Sequence, residues 1–337
     1  MLKIHWCHGE TLWASKRSDL WVSSDCGQTW KEVTHLPSSQ FSTLAGKSRL
    51  LQRALRSGVR SYLHLHADQF MAFANGMIYL GQDGGKTIPI GHVRYGSGPL
   101  ACGSCITSAG MCYYGDYWGN SERREVNIYS WRQGQETWQP VYTFSPGRIR
   151  HVHGILCDPY DHKIWVTTGD SNQESGIWVT DDQFQTLAQV AGGGQQIRAV
   201  QLLFTQRHVY FGSDTPLETN HIYRLDKHTG KIEMLQAVAS SVFWGCKVGD
   251  ALFFSTAVEP SQVNTCRDAC IWGSKDGEHW QCLARFRKDR WPLKLFQYGQ
   301  ILFPAGENKT EYLWFTPFAT EQDLTIQRIK IADLWED

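Results

Sequence analysis

Short runs of alternating apolar and polar residues recur along the chain, separated by glycine, aspartate, asparagine and serine. Between residues 148 and 182, HVHGILCD, KIWVTTGD and GIWVTDD are three such runs. A period of two predicts β-strands that bury one face, and the residues between the runs predict tight turns. We therefore expect an all-β chain in which each unit of this kind supplies several strands.

The octapeptide SSDCGQTW, at 23–30, has relatives elsewhere in the chain. GQDGGKTI at 81–88 and TDDQFQTL at 180–187 retain the aspartate and threonine, and SKDGEHW at 274–280 is one residue shorter. Weaker copies are SWRQGQETW at 130–138 and LDKHTGK around Asp226. The position of the aspartate then falls at residues 25, 83, 132, 182, 226 and 276.

The spacing of these copies predicts the architecture. After a first interval of 58 residues they recur every 44 to 50 residues, and LWFTPF near 313–318 supplies a further unit without an aspartate. A period of about 40–50 residues, each with several short strands, is typical of a β-propeller. We predict one seven-bladed domain over residues 1–337, with six blades as the nearest alternative because the last unit is inferred from spacing.

The long first interval contains a different periodicity. In residues 41–58, Leu44, Leu50, Leu51 and Leu55 recur at helical spacing. We predict a short helical insertion here, between blades 1 and 2.

The pattern S-x-D-x-G-x-T-W at residues 23–30 resembles the Asp-box, or BNR repeat, of the sialidase-like propeller superfamily. That resemblance implies that the copies join the third and fourth strands of each blade, on the face opposite the active site. Asp25 is then predicted to be structural, because its carboxylate accepts hydrogen bonds from its own turn. The functional face would receive the starts of the first strands and the ends of the second strands.

Charge and composition narrow the function classes. Lysine plus arginine and aspartate plus glutamate number 33 each, so no net charge favours nucleic acid or a membrane surface. No apolar run is long enough for a signal peptide or a membrane span, which predicts a cytoplasmic protein. The ten cysteines are irregularly spaced, and Cys102, Cys105 and Cys112 are expected to be free thiols. We expect no metal and no cofactor.

The predicted blade geometry brings polar and aromatic residues from most blades to the functional face. As catalytic candidates it nominates His151, His153, Asp170, Asp214 and Glu259. As substrate-binding candidates it nominates Tyr62, His64, Arg94, Tyr95, Arg148, Arg150, Arg198, Trp244 and Lys247. Arginine favours a carboxylate, sulfate or phosphate, and aromatic rings suit the apolar faces of sugars.

These residue types favour a carbohydrate-active enzyme that cleaves an anionic glycan or glycoconjugate. Sialidases carry an Arg-Ile-Pro-type motif, which this sequence lacks. Uronate lyases on similar propellers use histidine, tyrosine and arginine, whereas a hydrolase needs two carboxyl groups flanking the scissile bond. The alternative is a non-catalytic propeller that binds a glycan or serves as an assembly platform.

Overall fold

The protein is a seven-bladed β-propeller, seen here in a computed structural model that describes residues 1–37, 48–66, 69–306 and 310–335. Each blade is an antiparallel sheet whose strands follow one another in chain order. The predicted fold class is confirmed, and seven rather than six is the number of blades.

Four strands build each of the first six blades. Blades 1 and 2 comprise β1 (Lys3–His8), β2 (Thr11–Lys16), β3 (Asp19–Ser23), β4 (Lys31–His35), β5 (Val59–His64), β6 (Gln69–Ala74), β7 (Met77–Gln82) and β8 (Ile88–His92). Blades 3 and 4 comprise β9 (Ser104–Ile106), β10 (Cys112–Gly115), β11 (Val126–Trp131), β12 (Gln139–Phe144), β13 (His151–Cys157), β14 (Ile164–Gly169), β15 (Gly176–Thr180) and β16 (Ala188–Gly192).

The remaining blades continue the pattern. Blades 5 and 6 comprise β17 (Ala199–Phe204), β18 (His208–Ser213), β19 (Asn220–Asp226), β20 (Ile232–Val238), β21 (Val242–Val248), β22 (Ala251–Thr256), β23 (Asp268–Ser274) and β24 (Gln281–Arg287). Blade 7 comprises β25 (Gln300–Leu302), β26 (Tyr312–Phe318) and β27 (Gln327–Lys330). Short 3₁₀ turns occupy Gln195–Ile197 and Ala332–Trp335.

Burial falls from the centre of the propeller outwards. In blade 4 every residue of β14 is buried, whereas β16 has none. Neighbouring blades approach closely enough to require glycine. A Cβ on Gly115 would lie 2.6 Å from Val152 of the next blade, and one on Gly212 would lie 2.4 Å from Val242. The core therefore lies between the blades, where side chains of one sheet fill space left by the next.

The ring closes between the two ends of the chain. Trp6 of β1 forms a parallel bridge with Ala305, which follows β25. The Cys7 amide donates to the Ala305 carbonyl at 2.9 Å, and the Ala305 amide donates to the His5 carbonyl at 2.8 Å. Blade 7 is thereby joined to blade 1 by backbone hydrogen bonds.

The predicted insertion contains helix α1 (Arg49–Ala54), which lies between β4 and β5; residues 41–47 fall outside the described part of the chain. The buried residue of α1 is Arg53, whose Nε donates to the carbonyl of Phe296 at 2.8 Å. Phe296 ends helix α2 (Leu293–Phe296). Leu51 and Leu55 are exposed, so the leucine pattern correctly predicted a helix but not the face that packs.

The aspartate turns form small hydrogen-bonded units between the third and fourth strands. In blade 1, Asp25 accepts from the Thr29 amide at 2.9 Å, from the Thr29 hydroxyl at 2.6 Å and from the Ser23 hydroxyl at 2.7 Å. Gly27 supplies the positive φ that this turn requires, at 75°. The unit is complete within seven residues of sequence.

Blades 4 and 6 repeat this unit with substitutions. Asp182 accepts from the Thr186 amide and hydroxyl at 3.0 and 2.7 Å, and Phe184 adopts the positive φ that glycine has elsewhere. In blade 6 the ring of His279 takes the place of threonine, 2.7 Å from Asp276. Within the described residues, no helix is both long and apolar enough to cross a membrane.

Candidate functional site

The face opposite the aspartate turns, here called the upper face, receives the start of each first strand and the end of each second strand. In blade 4, His151 opens β13 and pairs with Gly169, the last residue of β14. Asp170 follows immediately. The aspartate turns lie on the other face, here called the lower face. The upper face of blades 4 to 6 brings together five catalytic candidates: His151, His153, Asp170, Asp214 and Glu259.

The two histidines lie on the same side of β13 and are held by backbone carbonyl groups. His151 Nδ1 is 2.8 Å from the carbonyl oxygen of Trp118, and His153 Nδ1 is 3.0 Å from that of Ala199. Because a carbonyl only accepts, both Nδ1 atoms must carry hydrogen and donate. The Nε2 atoms of His151 and His153 face each other at 3.1 Å.

Asp170 lies at the centre of the cluster. Its Oδ1 is 3.6 Å from His151 Nε2, 3.5 Å from His153 Nε2 and 3.2 Å from Arg198 Nη2. Its Oδ2 accepts from Arg150 Nη1 at 2.7 Å. The Asp170 carboxylate therefore contacts side chains of its own blade and Arg198, which directly precedes the first strand of blade 5.

Arg198 connects Asp170 to a second acidic group. Its Nη2 is 3.3 Å from Asp214 Oδ2, while Glu259 of blade 6 accepts from the Ser241 hydroxyl at 2.5 Å. Asp214 is 5% exposed, so its charge is shielded from water. Asp170 and Asp214 each directly follow the second strand of their blade, whereas Glu259 lies three residues after the end of β22.

The carboxyl groups of the cluster have pKa values shifted in opposite directions. Burial acts to raise the pKa of Asp170, but the nearby rings of His151 and His153 outweigh it and hold that pKa well below its usual range. Burial raises the pKa of Asp214, which Arg198 only partly offsets. Burial, followed by the negative charge of Asp214, raises the pKa of Glu259. Burial lowers the pKa of His151.

Two uncharged residues position the cluster. A Cβ on Gly169 would lie 2.7 Å from the His153 ring and 2.9 Å from the Arg198 side chain, so these groups occupy the space of a missing side chain. In blade 3, Val152 fills the space beside Gly115, the residue that precedes Asp116 as Gly169 precedes Asp170. Gln195 donates to the Asp170 carbonyl at 2.9 Å and accepts from the Thr215 hydroxyl at 2.8 Å. It ties the loop of Asp170 to the loop of Asp214.

Tyr117 and Arg60 belong to the same region, although neither was among the sequence candidates. The ring of Tyr117 lies 4.4 Å from that of His151, and the Arg60 guanidinium lies over the Tyr117 ring at 5.3 Å. Burial raises the pKa of Tyr117 and lowers that of Arg60. Tyr117 follows Asp116, which occupies in blade 3 the position of Asp170. The matching positions of Asp116 and Asp170 in successive blades could therefore have directed attention to Tyr117.

Several predicted binding residues lie on the upper face but outside this cluster. Arg94 pairs with Glu125 at 2.8 Å, and Tyr95 stacks on Trp118 at 4.4 Å. The Trp244 indole donates to Gln300 at 2.7 Å, joining blades 6 and 7.

Arg148 does not reach the cluster. Its guanidinium lies 5.2 Å from the Trp178 ring and donates to Gln189, towards the outer strands of blade 4.

Three predicted residues lie elsewhere, and their assignment to the functional face is corrected. His64 ends β5, at the lower end of that strand, and stacks on Trp6 at 3.8 Å. Lys247 lies near the end of β21 and contacts the Tyr160 hydroxyl at 2.6 Å, in the connection between β13 and β14. Tyr62 is buried between blades 1 and 2. Period-two alternation predicts which side of a strand a residue faces. It does not predict whether that residue lies near the upper or the lower face of the propeller.

The cysteines are free thiols in the structure. Cys102 Sγ contacts the carbonyl oxygens of His153 and Val200 at 3.6 Å, whereas Cys105 Sγ lies 3.2 Å from that of Cys157. The two members of the C-x-x-C therefore have different neighbours.

A cavity of about 580 Å³ lies on the lower face between blades 6 and 7, lined in part by Asp250, Lys275 and Trp335. It is separate from the cluster on the upper face.

Comparison with known proteins identifies similar folds but no family to which the chain belongs. No family model matches the sequence, and no curated protein matches it. Among solved structures, YCF48 bound to D1 peptide is similar with a TM-score of 0.61 and 12% identity, covering 100% of this chain and 93% of that one.

Two GH74 enzymes share the architecture as well. An ancestral GH74 enzyme gives a TM-score of 0.61 at 9% identity over 97% of this chain, and the Niastella koreensis GH74 enzyme gives 0.55 at 12% over 83%. This chain spans only 44% of each of those chains. At these identities the likeness shows the propeller fold alone.

Proposed function

We propose that this propeller is a carbohydrate-active enzyme that cleaves an anionic glycan at the upper-face cluster. The observation that carries the proposal is the convergence of Asp170, Asp214 and Glu259 from three blades around Arg198. Paired carboxyl groups whose environments drive their pKa values apart are the usual acid and base of glycosidic bond cleavage. Asp25 and Asp182 on the lower face instead accept hydrogen bonds from the hydroxyl and amide groups of their own turns.

The arginines suit the negative charge of the substrate. Arg150 retains 34% of its side-chain exposure while it pairs with Asp170, so its guanidinium is accessible from the upper face. A planar guanidinium binds a carboxylate through two parallel hydrogen bonds. Arg150 is therefore assigned to binding the acidic group of a uronic or sialic acid, and the stacked Tyr95 and Trp118 to the sugar surface beside it.

Glu259 is assigned as the proton donor. Its raised pKa keeps the carboxyl group protonated to higher pH than an exposed glutamate, and Ser241 orients one of its oxygens. Arg198 keeps Asp170 and Asp214 in place between the donor and the histidines. Hydrolysis and β-elimination both fit this arrangement, and the product distinguishes them.

The hydrogen-bonded turns support membership of the Asp-box group of propellers. In blades 1 and 4 the aspartate accepts from a hydroxyl two residues before it and from an amide and hydroxyl four residues after it. The same local pattern in separate blades supports the resemblance seen in sequence. This resemblance bears on the ancestry and fold of the protein and does not identify a reaction.

A second candidate is a non-catalytic propeller that binds a peptide or glycan during assembly. It is favoured by the similarity to YCF48, a structure solved with a bound D1 peptide, because that chain is nearly the same length as this one. Under this alternative the upper-face cluster would recognise an acidic ligand without turnover.

The experiment is to incubate the purified protein with uronic-acid and sialic-acid oligosaccharides and follow new reducing ends and unsaturated uronate absorbance. Asp170→Asn and Glu259→Gln should each greatly slow product formation, while Asp25→Asn should retain it. Binding with no turnover of any substrate would favour the second candidate. Equal turnover by the wild type and Asp170→Asn would refute the proposed site.

A further inference from the structure

The two histidine rings present an unresolved electrostatic conflict. Each Nδ1 donates its hydrogen to a backbone carbonyl, so in the neutral rings each Nε2 carries a lone pair. These lone pairs face each other at 3.1 Å inside the protein, with His151 6% and His153 3% exposed. Two acceptors at this distance repel unless a positive charge lies between or beside them.

The third atom near the two nitrogens is also an acceptor. Asp170 Oδ1 lies 3.6 Å from His151 Nε2 and 3.5 Å from His153 Nε2. The three atoms thus form a nearly equilateral triangle with sides of 3.1, 3.5 and 3.6 Å. Ligands of a tetrahedral zinc ion, at about 2.0–2.1 Å from the metal, lie about 3.3 Å from one another. The triangle has the dimensions of one face of that tetrahedron.

We propose that His151, His153 and Asp170 bind one divalent transition-metal ion of the zinc class, with the fourth coordination position open towards the upper face. Two imidazole nitrogens and one carboxylate oxygen are a ligand set typical of catalytic zinc, which keeps one position for water or substrate. The proposal rests on the ligand geometry and not on the reaction assigned to the site.

The surroundings of the triangle have the features of a metal site. Ligating histidines generally donate their second N–H to a carbonyl or carboxylate, which fixes the tautomer and the ring orientation. Trp118 and Ala199 accept these hydrogens from His151 and His153. Arg150 binds Oδ2 of Asp170 at 2.7 Å and so leaves Oδ1 directed towards the nitrogens.

The nearby charges are compatible with a cation. Arg198 lies 3.2 Å from Asp170 Oδ1, but the same Nη2 atom is 3.3 Å from Asp214. Glu259 also interacts with Arg198 and Asp214. The positive charge of Arg198 is therefore shared between two carboxyl groups, Asp170 and Asp214. A proton shared between the histidines would also relieve the repulsion, but it would use only two of the three converging atoms.

The test is a direct measurement of metal binding. The full chain is stripped with a chelator, dialysed against Zn²⁺ and analysed for metal content by mass spectrometry, and the Co²⁺ form is examined by visible absorption. We expect one Zn²⁺ per chain and the intense visible bands of tetrahedral Co²⁺. Absence of a thiolate-to-cobalt charge-transfer band would distinguish this site from binding by cysteines.

Matched variants locate the ion. His151→Gln, His153→Gln and Asp170→Asn should each lower the Zn²⁺ affinity at least tenfold, as loss of a ligand requires. His279→Ala removes the exposed histidine paired with Asp276 on the lower face and should bind Zn²⁺ like the wild type. Circular dichroism confirms that each variant folds.

Failure of the folded wild type to bind Zn²⁺ or Co²⁺ stoichiometrically would overturn the proposal, as would undiminished binding by both histidine variants. Neither readout depends on turnover of a glycan, so this result is independent of the proposed function.

Discussion

Asp25 and Asp170 are both aspartates that follow a strand, and both have a lowered pKa, but the causes lie at different distances along the chain. The Thr29 hydroxyl and amide and the Ser23 hydroxyl lower the pKa of Asp25 to about 2. For Asp170 the groups that overcome burial come from another strand, His151 and His153, and Arg198 approaches from the next blade. Asp25 is stabilised by its own turn, whereas Asp170 depends on the assembled propeller.

This difference separates architecture from function. A carboxylate satisfied within seven residues needs nothing from the rest of the fold, and similar turns recur in blades 4 and 6. A carboxylate that gathers two histidines and two arginines in one place requires an arrangement that one blade cannot provide. A lowered carboxylate pKa alone therefore does not distinguish a turn aspartate such as Asp25 from Asp170 in the proposed site, whereas the origin of its partners does.

The largest contrast is expected in activity. Asp170→Asn removes the charge at the centre of the cluster and should lower kcat/KM on the cleaved glycan about 10³-fold, the scale of losing one well-placed electrostatic group. Asp25→Asn should change kcat/KM less than twofold because Asp25 lies on the face opposite the proposed site. Steady-state kinetics on the two variants measure this difference. Comparable losses of kcat/KM in both variants would contradict the prediction.

The next effect concerns stability of the cluster. Arg198→Ala leaves Asp214 and Asp170 without a shared cation, and it should reduce the free energy of unfolding by about 3–5 kcal/mol. The control is Arg207→Ala, since Arg207 is 69% exposed where it pairs with Asp226. It should cost less than about 1 kcal/mol. Urea denaturation of both variants provides the comparison, and a small loss for Arg198→Ala would show that the buried pair is not needed.

A third contrast appears in the dependence of stability on pH. Burial raises the pKa of Asp116 from 3.8 to about 6, so the folded state binds this proton more tightly than the unfolded state. Stability from Asp116 is then complete below about pH 4 and lost as pH rises through about 6. Asp25 has the opposite sign, because its contribution is lost as pH falls through about 2.

Asp116→Asn should remove the contribution of Asp116 to the slope of stability between pH 4 and 7. The difference in unfolding free energy between wild type and variant is expected to change by about 2 kcal/mol over that range. Denaturant titrations at several pH values measure it. A constant difference would mean that Asp116 titrates as an exposed aspartate does.

A fourth contrast tests packing without altering charge. Gly169→Ala places a methyl group 2.7 Å from His153 and 2.9 Å from Arg198, and it should cost about 1–3 kcal/mol and reduce activity. Gly194→Ala is the matched control because nothing lies within 4 Å of its new methyl group. Thermal unfolding and kinetics follow both variants, and equal behaviour would show that the space beside Gly169 is not filled as described.

The smallest effect belongs to the turns. Asp25→Ala removes the acceptor for the Thr29 amide and should lower the stability of the protein only slightly, less than Arg198→Ala does, with activity unchanged. Chemical denaturation measures this cost. A loss of stability as large as that of Arg198→Ala would show that blade 1 depends on the turn more than its local hydrogen bonds imply.

The fold was predictable because its signals are local. The alternation in HVHGILCD and the turn around Asp25 each act over a few residues, and their repetition gives the blades. Asp170 and Asp214 were found because both follow a second strand. Tyr117 and Arg60 were missed because their proximity to His151 depends on how blades 2, 3 and 4 pack.

Residues were wrongly assigned to the site when their position between the upper and lower ends of a strand was not predicted. Lys247 and His64 lie on first strands, as expected, but near their lower ends. Arg148 lies close to β13 in sequence, yet its side chain packs on Trp178 towards the outer strands. Alternation fixes the side of a strand on which a residue lies, while its position between the two faces depends on where the strand starts.

The most direct test of the account is a crystal structure with a bound acidic oligosaccharide. We predict electron density for the ligand on the upper face, with its acidic group in hydrogen-bonding contact with Arg150 and a sugar oxygen close to Asp170 or Glu259. Ligand bound instead at the aspartate turns or in the lower-face cavity beside Lys275, with the upper-face cluster unoccupied, would contradict the account.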